Sequence, residues 1–368
     1  MKILCLIDTL APGGAERQMT YLAAGLKESG HEVTLMAFSD VKSEFYRDWL
    51  KGHGIIPEFH PECSNKIMRP LRLAKLVKRI KPDVVVVYKN SATIAACLSR
   101  ILTRFKLVVS ERNTTQVVNI KEKVKFWLYR RADAIVPNSK SQGEFIAKHY
   151  PNLTEHTTVI RNMIDTDLFA PASHQIVNPI PVVLTTARVA EQKNVLNYLK
   201  AIRLLKERGI KAKFQWYGYH GDKDGYYSKV KQEINRLDIT DIIKINKPSS
   251  KVSELYRKAD IFCLPSIYEG FPNVLCEAMS SGLPVVASNI CDNPDIVVDG
   301  ENGFLFNPLD VEEMANAIQR ALELTQDQRK EIGCKNRQRI QRLCSKEAFI
   351  GSYENIFKSI CFQKAESI

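Results

Sequence analysis

The sequence lacks several patterns that would assign it to other classes of protein. Its nine cysteines include no C-x-x-C pair, so buried reduced thiols are expected rather than a zinc or disulfide framework. No G-x-G-x-x-G motif is present, which disfavours a nicotinamide-dependent oxidoreductase. No uncharged apolar run is long enough to cross a bilayer, and Asp8 interrupts the one at the N-terminus. We therefore expect a cytoplasmic protein.

Positive charge is concentrated in one part of the chain. The 368 residues carry a formal net charge of +12, and residues 66–131 alone hold 17 Lys or Arg against three acids. The segments 65–81 and 122–131 mix these cations with apolar and aromatic side chains. Two readings remain open, because such helices bind anionic lipid surfaces and also occur as core helices with a solvated basic face.

Nucleic acid is disfavoured as the partner of this basic region, because no helix-turn-helix, RRM or zinc-finger pattern accompanies the charge. We predict that residues 66–131 contact an anionic membrane surface. The corresponding location is peripheral, at the inner face of the plasma membrane.

Residues 261–288 contain the clearest functional signal. Residues 261–264 form a short apolar run, typical of a buried parallel strand. After a loop, Pro272 at the first helical position and Gly282 at the C-terminal cap predict a helix. This arrangement would aim the backbone N–H groups of residues 270–274 at the carboxyl end of the strand, where they favour an anion such as phosphate.

Two acids flank this loop. Glu269 lies in it and Glu277 lies eight positions later, on the predicted helix. Carboxylates bind phosphate poorly but accept hydrogen bonds well from sugar hydroxyls. Acids beside a phosphate site therefore favour a nucleotide-sugar. The alternative is an ordinary polar loop in which Glu269 complements the helix dipole.

The stretch EGFPNVLCEAMSSGLPVVAS (269–288) resembles the E-x7-E signature of the retaining GT-B glycosyltransferases of group 1, the GT4 family. The resemblance implies that Glu269 contacts the donor sugar and that Glu277 holds the ribose. It assigns the contacts with sugar and phosphate to the residues after the first acid, namely Gly270, Phe271, Pro272, Asn273, Val274 and Leu275.

A second motif, ARVAEQKNV (187–195), places Arg188 at the end of a predicted strand and Lys193 at the start of the next helix. The planar guanidinium of arginine and the point charge of lysine are suited to bind a diphosphate. The alternative interpretation is that both residues are solvated surface cations. The spacing resembles the R-x4-K motif of the same family. We predict Glu269, Arg188 and Lys193 as the catalytic residues.

The same two cations lead to a prediction about the need for a metal cofactor. Together with the helix dipole they supply the positive charge that Mg²⁺ would otherwise provide to a departing diphosphate. No aspartate pair stands out as a metal site. We predict that the protein needs no metal and no other cofactor.

The N-terminal segment has the pattern of a βαβ opening. Strands at residues 2–7 and 33–38 enclose a helix from about residue 17 to 29, as in a Rossmann-like domain. Gly13 and Gly14 in the first loop are explained by a tight turn. In the resembled family this loop borders the donor diphosphate from across the cleft, which implies that both glycines bind the donor.

Polar residues follow the later predicted strands of the same half. Arg112 stands where family members often carry a histidine; it could hold an acceptor diphosphate, with Glu111 as its ion-pair partner. Lys89, Asn90 and Asn138 are further acceptor-side candidates, because catalytic residues of α/β folds gather where strands end. Each of the three is equally expected as a turn residue.

The length exceeds a usual single core and predicts two domains. We predict an α/β protein of GT-B fold, with two Rossmann-like α/β/α domains facing each other across a cleft. Residues 1–168 would form the acceptor domain, residues 169–346 the nucleotide-sugar domain, and residues from about 347 to 368 would pack back on the first domain.

The resemblance implies a retaining glycosyltransferase. Its donor would be a nucleotide-sugar, with UDP as the carrier by family habit. Its acceptor would be a lipid-linked saccharide or similar molecule of O-antigen, capsule or lipopolysaccharide synthesis. Two alternatives are an epimerase or hydrolase of GT-B fold that acts on the donor alone, and a non-catalytic module that binds lipid surfaces.

Overall fold

The computed structural model describes residues 1–39, 46–112, 117–173, 178–219, 221 and 225–362. The chain forms two compact units: unit 1 is Met1–Met163 with Lys346–Ile368, and unit 2 is Ile164–Ser345. Each unit contains a six-stranded parallel sheet with helices, the α/β architecture that the sequence predicts. The predicted boundary after residue 168 lies just inside unit 2.

The sheet of unit 1 is built from short apolar strands, which suits a parallel sheet that helices cover on both faces. The strands are β1 (Lys2–Thr9), β2 (Glu32–Ser39), β3 (Glu58–Phe59), β4 (Val84–Tyr88), β5 (Lys106–Glu111) and β6 (Ala134–Pro137). Their spatial order is β3-β2-β1-β4-β5-β6. The order reverses between β1 and β4, and such a reversal leaves a crevice beyond the carboxyl ends of the strands.

Helices pack against both faces of this sheet, and each face has its own apolar cluster. The helices are α1 (Gly14–Glu28), α2 (Arg47–Gly52), α3 (Arg69–Ile80), α4 (Asn90–Ser99), α5 (Ile120–Tyr129) and α6 (Lys140–His149). Because α3 contacts α4 and α4 contacts α5, these three helices form one continuous layer.

Unit 2 repeats this plan. Its strands are β7 (Val182–Thr186), β8 (Lys213–Tyr217), β9 (Ile243–Asn246), β10 (Ile261–Leu264), β11 (Val285–Ser288) and β12 (Gly303–Phe306). The spatial order is β12-β11-β10-β7-β8-β9, so the reversal lies between β7 and β10. The motifs that follow these two strands in the sequence therefore meet at one edge of the sheet.

The helices of unit 2 hold these motifs in place. They are α7 (Val195–Glu207), α8 (Tyr226–Arg236), α9 (Val252–Lys258), α10 (Asn273–Ser280), α11 (Asn293–Ile296), α12 (Val311–Leu322) and α13 (Gln326–Cys344). Gly282, just beyond the end of α10, has a φ of +79°, which agrees with its predicted capping role. A Cβ on Gly333 of α13 would lie 2.2 Å from the carbonyl oxygen of Gly282, so the two backbones approach closely.

The last helix, α14 (Lys346–Phe362), belongs to unit 1, as predicted. Phe349, Tyr353 and Phe357 are buried in the apolar cluster that α1 and β1 also form. Ile350 packs against Gly25 of α1, where a Cβ would come within 2.4 Å of the Ile350 side chain. None of the helices in the described part of the chain combines the length and apolar composition needed to span a membrane.

Candidate functional site

The reversal point of unit 2 brings the two predicted motifs together. Arg188 follows β7, and the loop with Glu269 follows β10; these strands are hydrogen-bonded neighbours in the sheet. Parallel neighbours end at the same edge, so both loops emerge side by side. This edge is the position at which open α/β sheets bind their ligands.

A direct ion pair joins the two motifs. Lys193 Nζ lies 2.5 Å from Glu269 Oε1, and the side chains are only 13% and 10% exposed. Ser266 Oγ donates to the same carboxylate oxygen at 2.6 Å. Both donors therefore anchor Glu269 through Oε1, and among the described residues Oε2 is the oxygen left to accept from a ligand.

Backbone contacts fix the geometry of this pair. Lys193 ends a short 3-10 turn (Glu191–Lys193). The Ile267 N–H donates to the Gln192 carbonyl at 2.9 Å, and Gln192 Nε2 donates to the Tyr268 carbonyl at 2.8 Å. The loop after β10 is thus tied to the turn that carries Lys193. The two charged groups are held together before any ligand arrives, which lowers the cost of ordering the site.

The start of α10 differs by one residue from the prediction. Pro272 caps the helix and Asn273 is its first residue, whereas the sequence places Pro272 at the first helical position. The Leu275 N–H donates to the Pro272 carbonyl at 3.1 Å. No side-chain hydrogen bond caps this end of α10 within the described chain. The positive end of the helix dipole lies at this terminus, which is on the side of the reversal point.

The other predicted donor residues share this loop but differ in exposure. Gly270, Asn273 and Val274 are partly exposed, whereas Phe271 and Leu275 are buried. Leu275 is fully buried, and its backbone N–H already donates to the Pro272 carbonyl. The role of each residue as a donor contact stays a prediction.

Glu277 has a buried hydrogen-bond partner that the sequence motifs do not reveal. It lies on α10, is 3% exposed, and accepts a hydrogen bond from Tyr256 Oη at 3.1 Å. Tyr256 lies on α9, and its hydroxyl is also 2.9 Å from Thr186 Oγ1 at the end of β7. No family motif covers Tyr256. Ser266, in contrast, lies within residues 261–288, and a polar residue just after a predicted strand is a signal that the sequence does contain.

Arg188 is exposed and forms no side-chain ion pair with another described residue. Its position depends on a close approach of β7 and β8. A Cβ on Gly218 would lie 1.8 Å from the Ala187 carbonyl oxygen, and Trp216 Nε1 donates to that same oxygen at 2.8 Å. Glycine is therefore required at position 218 for the loop that presents Arg188.

The glycine loop of unit 1 covers a buried carboxylate. Gly13 is the N-cap of α1 and Gly14 its first residue. A Cβ on Gly13 would come within 2.4 Å of Glu16 Oε2. Glu16 in turn pairs with Lys89, which follows β4. The backbone of Gly13 is extended rather than left-handed, so the space for Glu16 and not a positive φ explains this glycine.

Arg112 forms a hydrogen-bond network with uncharged groups. It donates to Asn162 Oδ1 and Tyr88 Oη, and to Tyr353 Oη of α14 at 2.8 Å. The guanidinium also lies 4.1 Å from the centre of the Tyr88 ring. Burial raises the pKa of Tyr88 well above its usual value, so this partner remains a neutral phenol. Among the described residues no carboxylate pairs with Arg112.

The prediction that Glu111 pairs with Arg112 is wrong. Glu111 Oε2 lies 2.9 Å from Lys125 Nζ and accepts from Tyr129 Oη at 2.7 Å, both on α5. Glu111 is the last residue of β5 and faces α5, whereas Arg112 lies beyond the strand and contacts Tyr88 and Tyr353. Burial alone would lower the pKa of Lys125, but Glu111 and Glu122 raise it above its usual value.

The remaining acceptor-side candidates also lie where strands of unit 1 end. Asn90 is exposed at the first position of α4. Asn138 follows β6, is 5% exposed, and its N–H donates to the Glu111 carbonyl at 3.2 Å. Lys89 has a positive φ of 73° and lies immediately before α4. The structure places these residues along one sheet edge, and their functional roles stay predictions.

Two family models match the chain and together cover most of it. The model described as "Glycosyl transferases group 1" matches residues 169–339, and "Glycosyltransferase Family 4" matches residues 12–168. The matches meet close to the boundary between unit 1 and unit 2.

Individual proteins of similar sequence are named as glycosyltransferases. The uncharacterized glycosyltransferase MJ1059 of Methanocaldococcus jannaschii is 22% identical over 72% of this chain and 75% of its own length. The putative colanic acid biosynthesis glycosyltransferase WcaL of Escherichia coli is 27% identical over 53% of each chain, so the match spans about half the length of WcaL.

Among solved structures, HepE of Anabaena in complex with UDP superimposes with a TM-score of 0.85 at 22% identity, covering 98% of this chain and 100% of HepE. HepE has also been solved with UDP-glucose, with a TM-score of 0.83. At these identities the likeness establishes the fold, which is GT-B.

Proposed function

Because the chain belongs to the group 1 glycosyltransferases of the GT4 family, we propose that it transfers a sugar from a nucleotide-sugar, with a UDP-sugar as first choice, to a lipid-linked saccharide. The complexes of HepE with UDP and UDP-glucose support this choice of donor. The name of WcaL, which refers to colanic acid, supports a role in a surface polysaccharide pathway, such as that of O-antigen, capsule or lipopolysaccharide.

The observation that carries the proposal is the contact between Lys193 and Glu269 at the reversal point of unit 2. In the proposed complex Lys193 and Arg188 face the diphosphate and offset the negative charge that grows on it as the sugar departs. Glu269 offers Oε2 to the sugar hydroxyls, and Glu277 holds the ribose. The positive end of the helix dipole at the start of α10 completes the phosphate site.

We propose retention by departure and attack on the same face of the sugar, through an oxocarbenium-like transition state. Glu269 is suited to orient the sugar and not to attack it, because Lys193 and Ser266 both hold its Oε1 atom. The positive charge of the two cations and of the helix start makes a metal unnecessary in this scheme.

On the acceptor side, Arg112 remains our choice for a diphosphate of the lipid-linked acceptor. Its partners Asn162, Tyr88 and Tyr353 orient the guanidinium without neutralising it. A guanidinium that keeps its full charge at a sheet edge is a suitable partner for a diphosphate.

We narrow the proposed membrane contact to the outer side of α5. Phe126 and Tyr129 are core residues, whereas Ile120, Val124 and Trp127 are 80%, 52% and 53% exposed. These three positions follow helical spacing and form one stripe. The stripe has exposed cations beside it, at Lys121, Lys123 and Arg130. Exposed apolar side chains beside cations suit an anionic lipid surface.

Two of the basic residues do not belong to that surface. Arg69 is 6% exposed and donates from Nε to the Cys63 carbonyl at 2.6 Å. Lys125 is 4% exposed and pairs with Glu111 and Glu122. The membrane proposal therefore uses the exposed cations alone.

The decisive experiment is a screen of nucleotide-sugars for protection against thermal unfolding, because a ligand that binds the folded state raises the transition temperature. A donor that protects is then incubated with and without lipid-linked acceptors, and the anomeric configuration of the product is read by NMR. We expect transfer with retention and little release of nucleotide from the donor alone.

Rapid release of nucleotide without an acceptor would instead identify a hydrolase, and isomerised donor an epimerase. Protection by no member of the panel would overturn the proposal. Protection that survives in a Lys193→Ala and Arg188→Ala double variant would place the donor elsewhere.

A further inference from the structure

The hydroxyl of Tyr256 connects three elements behind the candidate donor site. It lies 2.9 Å from Thr186 Oγ1, 3.1 Å from Glu277 Oε2 and 3.2 Å from the Val274 carbonyl oxygen. Thr186 is the last residue of β7, and Glu277 and Val274 lie on α10. Tyr256 itself is completely buried, so it cannot contact a donor and can act only through its partners.

The direction of these hydrogen bonds follows from the number of protons. A phenol has one proton to donate. A carboxylate oxygen is a stronger acceptor than a carbonyl oxygen, so Glu277 receives this proton in preference to Val274. The Thr186 hydroxyl then donates to the phenol oxygen, which strengthens the phenol as a donor. The result is a chain of hydrogen bonds from Thr186 through Tyr256 to Glu277.

Packing fixes the position of the phenol. The Tyr256 ring makes edge contacts with Phe169 at 5.8 Å and with Phe262 at 5.7 Å between ring centres. Both neighbours are themselves buried, and close-packed aromatic rings have few alternative rotamers. The hydroxyl is therefore a fixed donor, and the carboxylate that it binds is fixed with it.

We propose that Tyr256 is a positioning residue that sets the orientation of the Glu277 carboxylate towards the ribose hydroxyls of the donor nucleotide. The inference rests on the proposed function, because it takes Glu277 as the ribose contact. It adds a residue and a hydrogen-bond chain that determine how well this contact is made. Without the phenol, Glu277 would sample other rotamers, and discrimination between ribose and deoxyribose would fall.

The test compares nucleotides with and without ribose hydroxyls. UDP, GDP and ADP are first titrated into the full-length protein by calorimetry. The nucleotide that binds is then compared with its 2′-deoxy and 3′-deoxy forms. We expect wild type to prefer the ribose form by about tenfold or more, and Tyr256→Phe to reduce this ratio to about threefold or less. The phenylalanine ring keeps the contacts with Phe169 and Phe262.

Three further comparisons separate positioning from folding. Tyr198→Phe removes another buried hydroxyl of unit 2, on a ring that packs against Phe214 and Trp216, and should leave the ratio unchanged. Thr186→Val leaves Tyr256 in place and should reduce the ratio in the same direction but to a smaller extent. A Tyr256→Phe change made in a Glu277→Ala background should have no additional effect, because the phenol would act only through that carboxylate.

The outcomes distinguish this inference from the proposed function. If none of the three nucleotides binds to wild type, the proposed function and the inference both fail. If Glu277→Ala abolishes the preference for ribose and Tyr256→Phe retains it, the inference fails and the proposed function stands. An equal loss of affinity for ribose and deoxyribose forms in Tyr256→Phe would show a purely structural role and would also overturn the inference.

Discussion

At the residue scale, Glu269 combines an anchored and an available carboxylate oxygen. Lys193 and Ser266 bind its Oε1 atom, and the Glu269 side chain is buried. A buried carboxylate that is ion-paired and hydrogen-bonded resists rotation. Its second oxygen therefore keeps one direction, which suits a group that has to orient a sugar during transfer.

Glu269→Gln should separate catalysis from stability. Glutamine keeps an oxygen that can accept from Ser266 and Lys193, so the unfolding temperature should change little. The variant removes the negative charge beside the sugar, and we expect kcat to fall by about 100-fold. Initial rates and thermal unfolding are the measurements. Glu207→Gln, on the exposed face of α7, is the matched control. Full activity of Glu269→Gln would exclude the residue from the site.

Substitution of Gly218 should displace the backbone of the loop that carries Arg188. An alanine Cβ would lie 1.8 Å from the Ala187 carbonyl oxygen, and backbone atoms at that distance must move. We expect Gly218→Ala to lower the free energy of unfolding by about 3 kcal/mol, measured by urea denaturation.

Gly52→Ala is the control for this change, because among the described residues no heavy atom outside its own helix and chain neighbours would lie within 4 Å of its Cβ. It should alter the free energy of unfolding by less than about 0.5 kcal/mol. Equal stability of the two variants would contradict the close approach of β7 and β8.

At the element scale, α5 has two different sides. Phe126 and Tyr129 pack into the core, and Lys125 is buried with Glu111 beneath the helix. Trp127 points outward, with the Arg131 guanidinium 4.9 Å from its ring centre. The sequence 122–131 shows all of these residue types together, but only the structure separates the core aromatic side chains from the exposed one.

Trp127→Ser should weaken binding to anionic vesicles. Loss of a half-exposed indole that inserts at the lipid interface should reduce binding about fivefold. Co-sedimentation with phosphatidylserine-containing vesicles gives the measurement, and added salt should weaken binding further because the cations act through screened charge. Leu309→Ser, at a 70% exposed position of unit 2, is the control. Equal binding by both variants and wild type would remove α5 from the contact.

Most of the elements are predictable because apolar runs and loop residues determine them locally. Residues 261–264, for example, are observed as a strand at the predicted bounds. β9 (Ile243–Asn246) is not predicted, because its short run IKIN alternates with a lysine and gives little signal. Contacts between residues that are far apart in the sequence could not be predicted either. Tyr256 contacts Glu277 because α9 and α10 pack together, and no sequence motif includes both residues.

At the scale of the whole molecule, each unit has its own sheet and its own reversal point. The two predicted phosphate-binding cations and both acids of the donor motif belong to unit 2 alone. Unit 1 contains the glycine loop and the polar residues at the ends of β4 to β6. We therefore expect donor binding to change hydrogen exchange mainly in unit 2.

Hydrogen exchange with and without UDP tests this division. We expect slower exchange in residues 187–195 and 265–277, where the nucleotide orders the loops and the start of α10. Residues 140–149 of α6, in unit 1, should exchange at unchanged rates and serve as the internal control. Protection confined to unit 1 would contradict the assignment of the donor site.

The return of α14 to unit 1 has a consequence for biosynthesis. Unit 1 is begun first on the ribosome, yet its apolar cluster includes Phe349, Tyr353 and Phe357, which are translated after all of unit 2. The nascent protein must therefore keep part of an unfinished core exposed while unit 2 folds. Premature stop codons before position 346 would leave that surface permanently uncovered, and such products are natural substrates for chaperones and proteases.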